Sequence, residues 1–516
     1  MSVETEIKLQ LLRNFGERAM RAALCSALSA HLPRAVSNHL RSIYVDTEGG
    51  ELAARRMSLR LRQIGNRWVQ TLKVPAKQRI GLQAYHEAEA EIADGTFDLS
   101  LVAWKSRDLD WLKARQDQLR PVFETDIQRS TWLLEHKRDK VELAWDRGHI
   151  RAGNRIETIN ELELELKAGT PGALFQQATA LTTAMPLRFA HATKAERGMR
   201  LAAGGASAAA QRQGTLRLSA KESTATAFRK IAEECLRQMQ ANERAILAGG
   251  GTDSIHQFRV ALRRLRAAIG TFRNLLDPSV LERWGHDLKW THQAFGRARD
   301  LDVLTEQTLA ALTQQYPGDA GLQVLVRTAE DSRRAARAAA QDVIDSRRYS
   351  LMQLDVARMF HDDSWCRPKA ADMSAASVLG FARDRLQRRY RKVRKLADKW
   401  PNLDLADLHR LRIQVKKMRY AALAFSSLFP AKASRSFLTG LEALQDCLGA
   451  LNDGAVGQQY VTELAAAVEK AGSAQVGVVE HAVGLVAGWH ARGIEDGRQN
   501  FNASWLVFKA QKRFWT

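Results

Sequence analysis

Charged side chains at alternating positions are the residues of this chain best suited to chemistry. Glu4, Glu6 and Lys8 stand at every second position of the segment Glu4-Thr5-Glu6-Ile7-Lys8. Successive side chains of a strand point to opposite faces, so these groups share one face at spacings of about 7 Å. Two carboxylates on a buried face require a cation or a polar partner. A solvated edge strand would show the same pattern, so this segment alone leaves both interpretations open.

The same alternation recurs through the first 200 residues and separates acidic from basic segments. Glu161, Glu163, Glu165 and Lys167 alternate with leucines. Three other segments place charges at one parity: Arg60 with Arg62, followed by Lys73; Glu87 with Glu89 and Glu91; and Lys140 with Glu142 and Asp146. The pattern predicts at least five strands with a charged face, acidic on some strands and basic on others. An ordinary wetted sheet face does not explain that separation.

A sheet closed into a barrel would bring these charged faces together in its lumen. Helices such as the segment 11–32 would then cover the Leu, Val, Ile and Trp faces from outside. Arginines and lysines can bind phosphoryl oxygens, and carboxylates can bind Mg²⁺ or Mn²⁺. The sequence therefore predicts an N-terminal α+β domain, a closed antiparallel β-barrel whose charged tunnel suits a linear polyphosphate group.

These residues resemble the CYTH family, also called the triphosphate tunnel metalloenzymes. The resemblance covers roughly residues 1–203 and begins with the Glu4-x-Glu6-x-Lys8 strand. The other matching motifs follow in the family's order: Tyr44-Val45-Asp46-Thr47, Arg60-Leu61-Arg62, Thr71-Leu72-Lys73, Arg129, Asp146 followed by Gly148, the Glu163/Glu165 strand, and Lys194-Ala195-Glu196-Arg197-Gly198. The resemblance implies a lumen that binds a triphosphate together with Mg²⁺ or Mn²⁺.

Site roles follow from the same resemblance. It assigns phosphate binding to Lys8, Arg60, Arg62, Lys73, Arg129, Lys194 and Arg197. It assigns metal binding or water positioning to Glu4, Glu6, Asp146, Glu163 and Glu165, and catalytic roles to Lys8, Glu89 and Asp146. Glu87 stands where many relatives have a basic residue, so the register of the strand that carries Glu89 stays open.

The implied reaction is in-line attack of water on a terminal phosphoryl group, with cations neutralising its oxygens. The resemblance favours an inorganic triphosphatase acting on tripolyphosphate. Thiamine triphosphatase and adenylate cyclase activities remain alternatives, because the shared residues serve the phosphate and not the group attached to it.

Composition bounds the rest of the chain. Its 516 residues, 45% hydrophobic and 26% charged, suffice for two or three domains with real cores. No run of 18 apolar residues or secretory signal pattern is present, so we expect neither a membrane span nor a membrane partner. Cys25, Cys235, Cys366 and Cys447 lack CxxC spacing, which favours reduced thiols in a cytoplasmic protein.

A domain boundary is predicted after residue 203. The small residues of 202–211 indicate a flexible linker over 204–220, and the hydrophobic period changes from 2 to 3.6 beyond it. We therefore expect an all-α domain over 221–516. Of the net charge of +21, residues 1–203 carry +6 and the remainder +15, which favours polyanionic partners of the helical half.

The helical half contains an internal repeat at a shift of 153 residues. His256-x-x-Arg259-x-x-x-Arg263-Arg264-x-Arg266 matches His409-x-x-Arg412-x-x-x-Lys416-Lys417-x-Arg419, and Gly296 and Asp300 match Gly449 and Asp453. The repeat predicts two tandem helical bundles, at about 221–365 and 374–516. In each motif the histidine and three cations share one helical stripe. A solvated basic face, or histidines buried in the core, would give the same pattern.

This half resembles the CHAD domain, a helical domain named for its histidines and associated with inorganic polyphosphate. The resemblance assigns polyphosphate binding to His256, Arg259, Arg263 and Arg266 in the first stripe, and to His409, Arg412, Lys416 and Arg419 in the second. Two functions stay open: a triphosphatase whose helical half captures polyphosphate, and a polyphosphate-binding or granule-targeting protein with little turnover. Specific nucleic-acid binding is not expected, because aromatic platforms and duplex-reading motifs are lacking. The sequence leaves the oligomeric state open.

Overall fold

The structure is a computed structural model that describes residues 3–76, 80–93, 95–102, 106–205, 209–367, 375–470 and 476–516. Within helices, the side chains of residues 405, 451–453, 455 and 476 are outside the description. Two sequence-based expectations therefore lie partly outside the described residues. These are the linker over 204–220, at residues 206–208, and the side chain of Asp453.

The N-terminal region contains nine strands and five helices among its described residues. The strands are β1 Val3–Leu11, β2 Val36–Asp46, β3 Ser58–Ile64, β4 Arg67–Pro75, β5 Gln83–Ile92, β6 Arg120–His136, β7 Asp139–Ala152, β8 Arg155–Ala168 and β9 Leu187–Ala190. The helices are α1 Glu17–Leu28, α2 Glu51–Ala54, α3 Arg107–Lys113, α4 Pro171–Ala184 and α5 Lys194–Ala202.

Eight of these strands close into the predicted antiparallel barrel. Their order is β5-β4-β3-β2-β6-β7-β8-β1, and β1 pairs back with β5 to complete the circle. One edge of β1 is shared, since Val3–Glu6 pairs with β5 whereas Lys8–Leu11 pairs with β9. The two-residue turn between β3 and β4 uses Gly65 at φ +59°, a left-handed conformation that glycine adopts without strain.

The period-2 alternation of the sequence becomes an inside and an outside of the barrel. On the outer face Ile7, Leu9, Leu162 and Leu164 are buried, and α4 packs over β1 and β8. Inside, α5 packs against β6, β7 and β8 and joins an apolar cluster that includes Leu40, Ile127, Ile150, Ile159 and Leu201. Gly198 permits this approach, because a Cβ there would lie 2.2 Å from the ring of Phe123. Helix α5 thus fills part of the lumen with apolar side chains and leaves the rest charged.

The C-terminal region is helical throughout its described residues, as predicted. Its helices are α6 Thr224–Leu247, α7 Thr252–Thr271, α8 Pro278–Ala294, α9 Gly296–Val303, α10 Ala310–Gln315, α11 Ala320–Asp345, α12 Arg347–Asp362, α13 Val378–Ala397, α14 Leu405–Phe425, α15 Ala431–Lys470 and α16 Val476–Ala510. A π-helical segment, Leu304–Leu309, joins α9 to α10. Helices α7 and α14 begin 153 residues apart, and so do α8 and α15. No helix in the described ranges is long and apolar enough to cross a membrane.

The chain divides into two compact units, and each unit is built from segments that are not contiguous in the sequence. The first unit comprises residues 1–209, 247–250 and 343–364, and the second comprises 210–246, 251–342 and 365–516. Helix α12 therefore belongs to the first unit, where it packs on α4 and β9.

Specific contacts attach α12 to the barrel. The backbone N–H of Phe189 in β9 donates to Ser350 Oγ at 3.2 Å, and Nε2 of His191 lies 2.8 Å from Gln353 Oε1. Gly81 faces Ala357 so closely that a Cβ at Gly81 would lie 2.3 Å from that of Ala357. Tyr349, Leu354, Val356 and Phe360 of α12 are buried. A helix from the C-terminal half of the sequence thus completes the outer layer of the barrel unit.

Candidate functional site

The barrel encloses a charged cavity of about 260 Å³. All but two of the side chains predicted for the tunnel line it, and the exceptions are Asp146 and Arg197. The predicted residues that it brings together are Glu4, Glu6, Lys8, Arg60, Arg62, Lys73, Glu89, Arg129, Glu163, Glu165 and Lys194. The lumen is therefore a single site to which β1, β3, β4, β5, β6, β8 and α5 contribute charged groups.

Arg129 and Asp146 form the most ordered ion pair of the site. They are direct cross-strand neighbours on β6 and β7, and Arg129 donates to both carboxylate oxygens of Asp146, at 2.7 and 2.6 Å. A further donation reaches Glu163 at 2.5 Å. Burial opposes the ionisation of Asp146, but Arg129 and Lys194 outweigh it and lower the pKa of that carboxyl. Asp146 has no exposed surface, so it holds the guanidinium from behind the cavity wall.

Lys194 sits among three carboxylates that could otherwise hold a metal ion. Ligand oxygens of Asp146, Glu161 and Glu163 all lie within 4.8 Å of one another. The Lys194 ammonium lies 2.6 Å from Asp146, 2.6 Å from Glu161 and 2.7 Å from Glu163. Lys8 also binds Glu163. Burial opposes ionisation of Glu163, yet Lys194, Lys8 and Arg129 hold its pKa well below the ordinary value. This acidic cluster is thus already neutralised by the protein's own cations.

A second acidic group in the lumen consists of Glu4, Glu6 and Glu165, and each of these carboxylates has one lysine partner: Lys73 for Glu4, Lys8 for Glu6 at 2.8 Å and Lys167 for Glu165. Glu6 lies opposite Glu165 across β1 and β8, and Glu165 lies opposite Glu142 across β8 and β7. Burial, reinforced by Glu163 and Glu4 against the pull of Lys8, raises the pKa of Glu6. Burial, Glu4 and Glu142 likewise raise the pKa of Glu165 despite its 2.7 Å ion pair with Lys167. Carboxylate oxygens are the ligands that Mg²⁺ and Mn²⁺ prefer, so Glu4, Glu6 and Glu165 are further residues that could hold a divalent cation.

The basic wall of the cavity is formed by β3. Arg60 donates to the Tyr44 hydroxyl at 3.4 Å and lies 3.8 Å from Glu87 and 3.7 Å from Glu89. Glu89 accepts a hydrogen bond from Thr71 at 3.0 Å. Although burial opposes it, Arg60 and this hydrogen bond lower the pKa of Glu89. Glu89 is therefore ionised and held beside the basic wall.

Arg62 has a different environment from its neighbour Arg60. Its Nε donates to Ser42 Oγ at 3.3 Å, and within the described part of the chain no carboxylate lies within 4 Å of it. Burial and the nearby Arg60 and Arg129 lower its pKa to about 10. A guanidinium enclosed among other guanidinium groups is unfavourable unless an anion joins them. Arg62 thus marks the position in the lumen where negative charge is missing.

The structure does not bring Arg197 into the cavity. Its guanidinium lies 2.7 Å from Glu157 and 2.7 Å from Glu161, and it also donates to the Thr158 carbonyl at 2.8 Å. These contacts fix α5 to β8. Arg197 thereby helps to place Lys194, which begins the same helix.

Several lumen residues were missed by the sequence-based assignment. Tyr44 stacks on Phe123 with ring centroids 4.5 Å apart, and Arg60 and Arg62 lower its pKa against the effect of burial. Glu161 is a partner of Lys194, although the assignment took only Glu163 and Glu165 from that strand. Arg56 lines the cavity with a left-handed backbone, φ +60°. The alternation contained the signal for Glu161, and Tyr44 has the lumenal parity of Ser42, whereas nothing local distinguishes Arg56.

In the helical unit the first predicted stripe is concentrated around two histidines. Arg259 is buried and donates to the carbonyl of His292 at 2.7 Å. Burial, with Arg299 and Arg263, lowers the pKa of His256 to about 4. Burial, with Arg259, Arg266, Arg263 and Lys416, lowers the pKa of His292 to about 3. His292 is a member of this basic cluster that no sequence motif identified.

The second stripe is less uniform. Lys416 of the second stripe is one of the cations that lower the pKa of His292. Part of the second stripe therefore lies near the first stripe. Arg419 instead donates to Glu442 at 2.6 Å and to Gln445 at 3.4 Å. His409 is exposed, whereas its counterpart His256 is half-buried, and Arg412 is half-buried. The two stripes therefore meet through Lys416, and Arg419 is partly neutralised.

Comparisons with known proteins agree with both halves of this geometry. The profile of the CYTH domain matches residues 3–199, and the profile of the CHAD domain matches residues 230–462. The chain combines a CYTH domain with a CHAD domain. A solved CHAD domain from the plant Ricinus communis superimposes with a TM-score of 0.51 at 28% identity, covering 59% of this chain and 98% of that one.

A curated relative carries the name inorganic triphosphatase and comes from Haemophilus influenzae. It is 32% identical to this chain over 159 residues. The match spans 31% of this chain and 45% of the relative. The match to this relative thus spans less than half of its length.

Proposed function

We propose that the CYTH domain hydrolyses inorganic tripolyphosphate with the help of a divalent cation. The observation that carries the proposal is Arg62, a lumenal guanidinium that lies among other cations, donates to Ser42 and has no carboxylate partner among the described residues. A phosphoryl group supplies the missing negative charge, and a guanidinium binds its oxygens through paired hydrogen bonds.

In this proposal the basic residues of the lumen bind the phosphate chain and the acidic residues bind the metal ion. Arg60, Arg62 and Arg129, with Lys8 and Lys73, would bind the oxygens of the phosphate chain and orient it. Glu4, Glu6 and Glu165 would hold Mg²⁺ or Mn²⁺, which when bound neutralises phosphoryl oxygens and activates water. The ion pairs of Asp146 and Glu163 keep Arg129 and Lys194 fixed, so the cationic wall needs little reorganisation during the reaction.

The charge of the lining favours an inorganic chain as the substrate. Cations line the cavity on β1, β3, β4, β6, β8 and α5, so a phosphate chain can meet several of them. The name of the Haemophilus influenzae relative agrees with this choice. Thiamine triphosphate and ATP are the alternative substrates, because the same residues would bind their phosphates.

We further propose that the basic cluster of the CHAD domain binds longer inorganic polyphosphate. Arg259, Arg263 and Arg266 lie with His292 and Lys416 in one cluster, and all four cations lower the pKa of His292, three from α7 and one from α14. Such a cluster suits a polyanion. A protein that only binds polyphosphate, with an inactive lumen, is the competing function.

Release of orthophosphate by the full-length chain tests the proposal. The assay uses tripolyphosphate with Mg²⁺ or Mn²⁺ and compares wild type, Arg62→Gln and Arg67→Gln. Arg67 lies on the adjacent strand, is exposed and faces Glu91 at 3.9 Å, so it is the matched control. We expect Arg62→Gln to lower kcat/KM at least 100-fold and Arg67→Gln to leave it unchanged.

Two results would contradict the proposal. One is the absence of orthophosphate release by wild type, which favours the binding-only function. The other is equal activity of wild type and both the Arg62→Gln and Glu6→Gln variants. Parallel assays with thiamine triphosphate and ATP decide the substrate, since the highest kcat/KM among the three identifies it.

A further inference from the structure

The CHAD domain contains a second cavity, of about 490 Å³, between α7 and α8. Arg266 and Arg273 line it from α7 and the residues that follow, and Arg367 lines it from the segment after α12. Backbone bonds fix Arg367 there, because its N–H donates to the carbonyl of Leu275 at 2.9 Å and Leu276 forms a β-bridge with Cys366. This volume lies in the range of small-molecule sites.

The cavity has an excess of positive charge. Glu282 is the acidic residue of its lining, against three arginines. None of the three arginines forms an ion pair within the described part of the chain; the pKa of the nearby Asp277 is lowered chiefly by hydrogen bonds from Ser279, and Arg367 adds a smaller effect. Burial lowers the pKa of Arg266. Three unpaired guanidinium groups around one opening favour a ligand with more than one negative charge.

The lining also contains large apolar side chains. These are Ile269 of α7 and Leu281 and Leu288 of α8. An inorganic phosphate chain gains nothing from such side chains, whereas an organic group buries apolar surface against them. The combination therefore suits a phosphate attached to an organic group.

The internal repeat shows that this cavity is not a by-product of the fold. At the shift of 153 residues, Gly270 and Gly285 correspond to Leu423 and Leu438, and Arg273 corresponds to Ser426. Both glycines border open space, since a Cβ at either position would meet no atom within 4 Å. The second bundle carries large side chains at the positions where the first bundle leaves a cavity.

The charge also differs between the two bundles. Arg419, the counterpart of Arg266, donates to Glu442 at 2.6 Å. The position that corresponds to Glu442 in the first bundle holds Lys289. The first bundle thus leaves its arginine available where the second bundle neutralises it.

We propose that the cavity between α7 and α8 binds an organic phosphate of nucleotide size, with its phosphates on Arg266, Arg273 and Arg367 and its organic group on Ile269, Leu281 and Leu288. Gly270 and Gly285 provide the space for the organic group. This site is independent of the proposed hydrolysis in the barrel, and it lies beside the polyphosphate cluster, with which it shares Arg266.

Titration with ADP and with pyrophosphate tests the proposal, because the two probes share two phosphates and differ in the organic group. The full-length Arg62→Gln protein with EDTA serves as the parent, so that binding in the barrel does not contribute. Gly270→Leu introduces the side chain of the second bundle, and Arg273→Gln removes a cation while leaving the helix contacts intact. Gly380→Leu on α13 is the matched control, since Gly380 is an exposed helical glycine that also borders open space.

We expect the parent to bind ADP at least tenfold more tightly than pyrophosphate. Gly270→Leu and Arg273→Gln should each weaken ADP binding at least tenfold, and Gly380→Leu should not change it. The same substitutions in the wild-type chain should leave tripolyphosphate hydrolysis unchanged, which separates this site from the barrel. Equal affinity of the parent for ADP and pyrophosphate, or unchanged ADP binding by both variants, would overturn the proposal.

Discussion

Arg129 and Asp146 face each other on neighbouring strands and are joined by two hydrogen bonds, of 2.7 and 2.6 Å. Asp146 also accepts Lys194 at 2.6 Å, so one fully buried carboxylate fixes two cations that come from different elements. The positions of both cations in the lumen therefore depend on this single residue.

Substitution of Asp146 should therefore affect both stability and activity. Asp146→Asn leaves Arg129 and Lys194 without their shared partner, and breaking a buried ion pair costs about 3 kcal/mol. We expect urea denaturation to show a loss of that order and tripolyphosphate hydrolysis to fall at least 100-fold. Asp126→Asn on β6, whose carboxylate is exposed beside His39, should change neither quantity. Equal stability of Asp146→Asn and wild type would show that the ion pair is not structural.

Arg62 should show the opposite relation between stability and activity. Its depressed pKa means that burial and the neighbouring guanidinium groups disfavour the charged form. Arg62→Gln should raise the free energy of unfolding by about 1 kcal/mol, a value reduced for the solvent that reaches the lumen. Arg129→Gln, which removes a paired cation, should lower it. Urea denaturation without phosphate measures both, and a stability loss in Arg62→Gln would contradict this account of the lumen.

The raised pKa of Glu6 leads to a prediction of how pH and a metal ion together affect thermal stability. Its folded-state pKa lies above the ordinary value of 4.5, so its contribution to stability is complete below that value and is lost as pH rises through the raised pKa. At pH 7.5, Glu6→Gln should therefore melt at a higher temperature than wild type without metal. The difference should vanish below pH 4.5.

Mg²⁺ should reverse the order of the melting temperatures of wild type and Glu6→Gln, because it binds the ionised carboxylate of Glu6. We expect 5 mM Mg²⁺ to raise the Tm of wild type by about 3 °C at pH 7.5, and by less at pH 5. Glu6→Gln should lose this response, and Glu91→Gln, on the exposed part of β5, should keep it. An equal response to Mg²⁺ in Glu6→Gln would exclude Glu6 from the metal site.

The two histidines of the basic cluster predict proton uptake on polyphosphate binding. Their pKa values of about 4 and about 3 keep His256 and His292 neutral at pH 7, and the stability this gives is lost as pH falls below 6.5. A bound polyanion favours the protonated rings, so affinity should rise about tenfold between pH 7.5 and pH 5.5. Calorimetric titration with long-chain polyphosphate at both values measures the change.

Variants of these residues provide the control for that measurement. His256→Gln and His292→Gln should each flatten the pH dependence. His286→Gln, on the exposed surface of α8, should retain it. If the dependence survived in the double variant His256→Gln/His292→Gln, the protons would be taken up elsewhere.

Helix α12 predicts that residues 1–209 are unstable on their own. Removing it exposes the surface that buries Tyr349, Leu354, Val356 and Phe360 and leaves the N–H of Phe189 without Ser350. We expect a Tm at least 10 °C below that of the same residues joined to 343–364 through a Gly/Ser linker. Thermal denaturation compares the two proteins, and equal Tm values would show that α12 is dispensable for the barrel.

The sequence was sufficient to predict the barrel and most of its charged lining. The alternation in Glu4-x-Glu6-x-Lys8 fixes which side chains share a face, because the period of a strand is a property of its backbone. The same argument placed Arg60, Arg62 and Lys73 on one side, and all of them line the cavity. The shift of 153 residues likewise indicated the equivalence of α7 and α14 before their bounds were known.

Contacts that depend on register and long-range packing were not predictable in this way. That Lys194 meets Asp146 and Glu161 depends on the pairing of β7 with β8 and on the position of α5 inside the barrel. Arg197 stands only three residues after Lys194, yet it turns to Glu157 because of that position. His292 belongs to the basic cluster through its place on α8, which carries no motif of its own.

The discontinuous chain path of the barrel unit also sets an order of events during synthesis. Residues 1–209 leave the ribosome first, but the helix that covers Gly81 and β9 is complete only after residue 362 has been translated. At about 5–20 residues per second, the nascent barrel waits on the order of ten seconds with an apolar surface open to water. During that interval this surface is available to chaperones, and α12 can cover it only when about half of the helical region has been made.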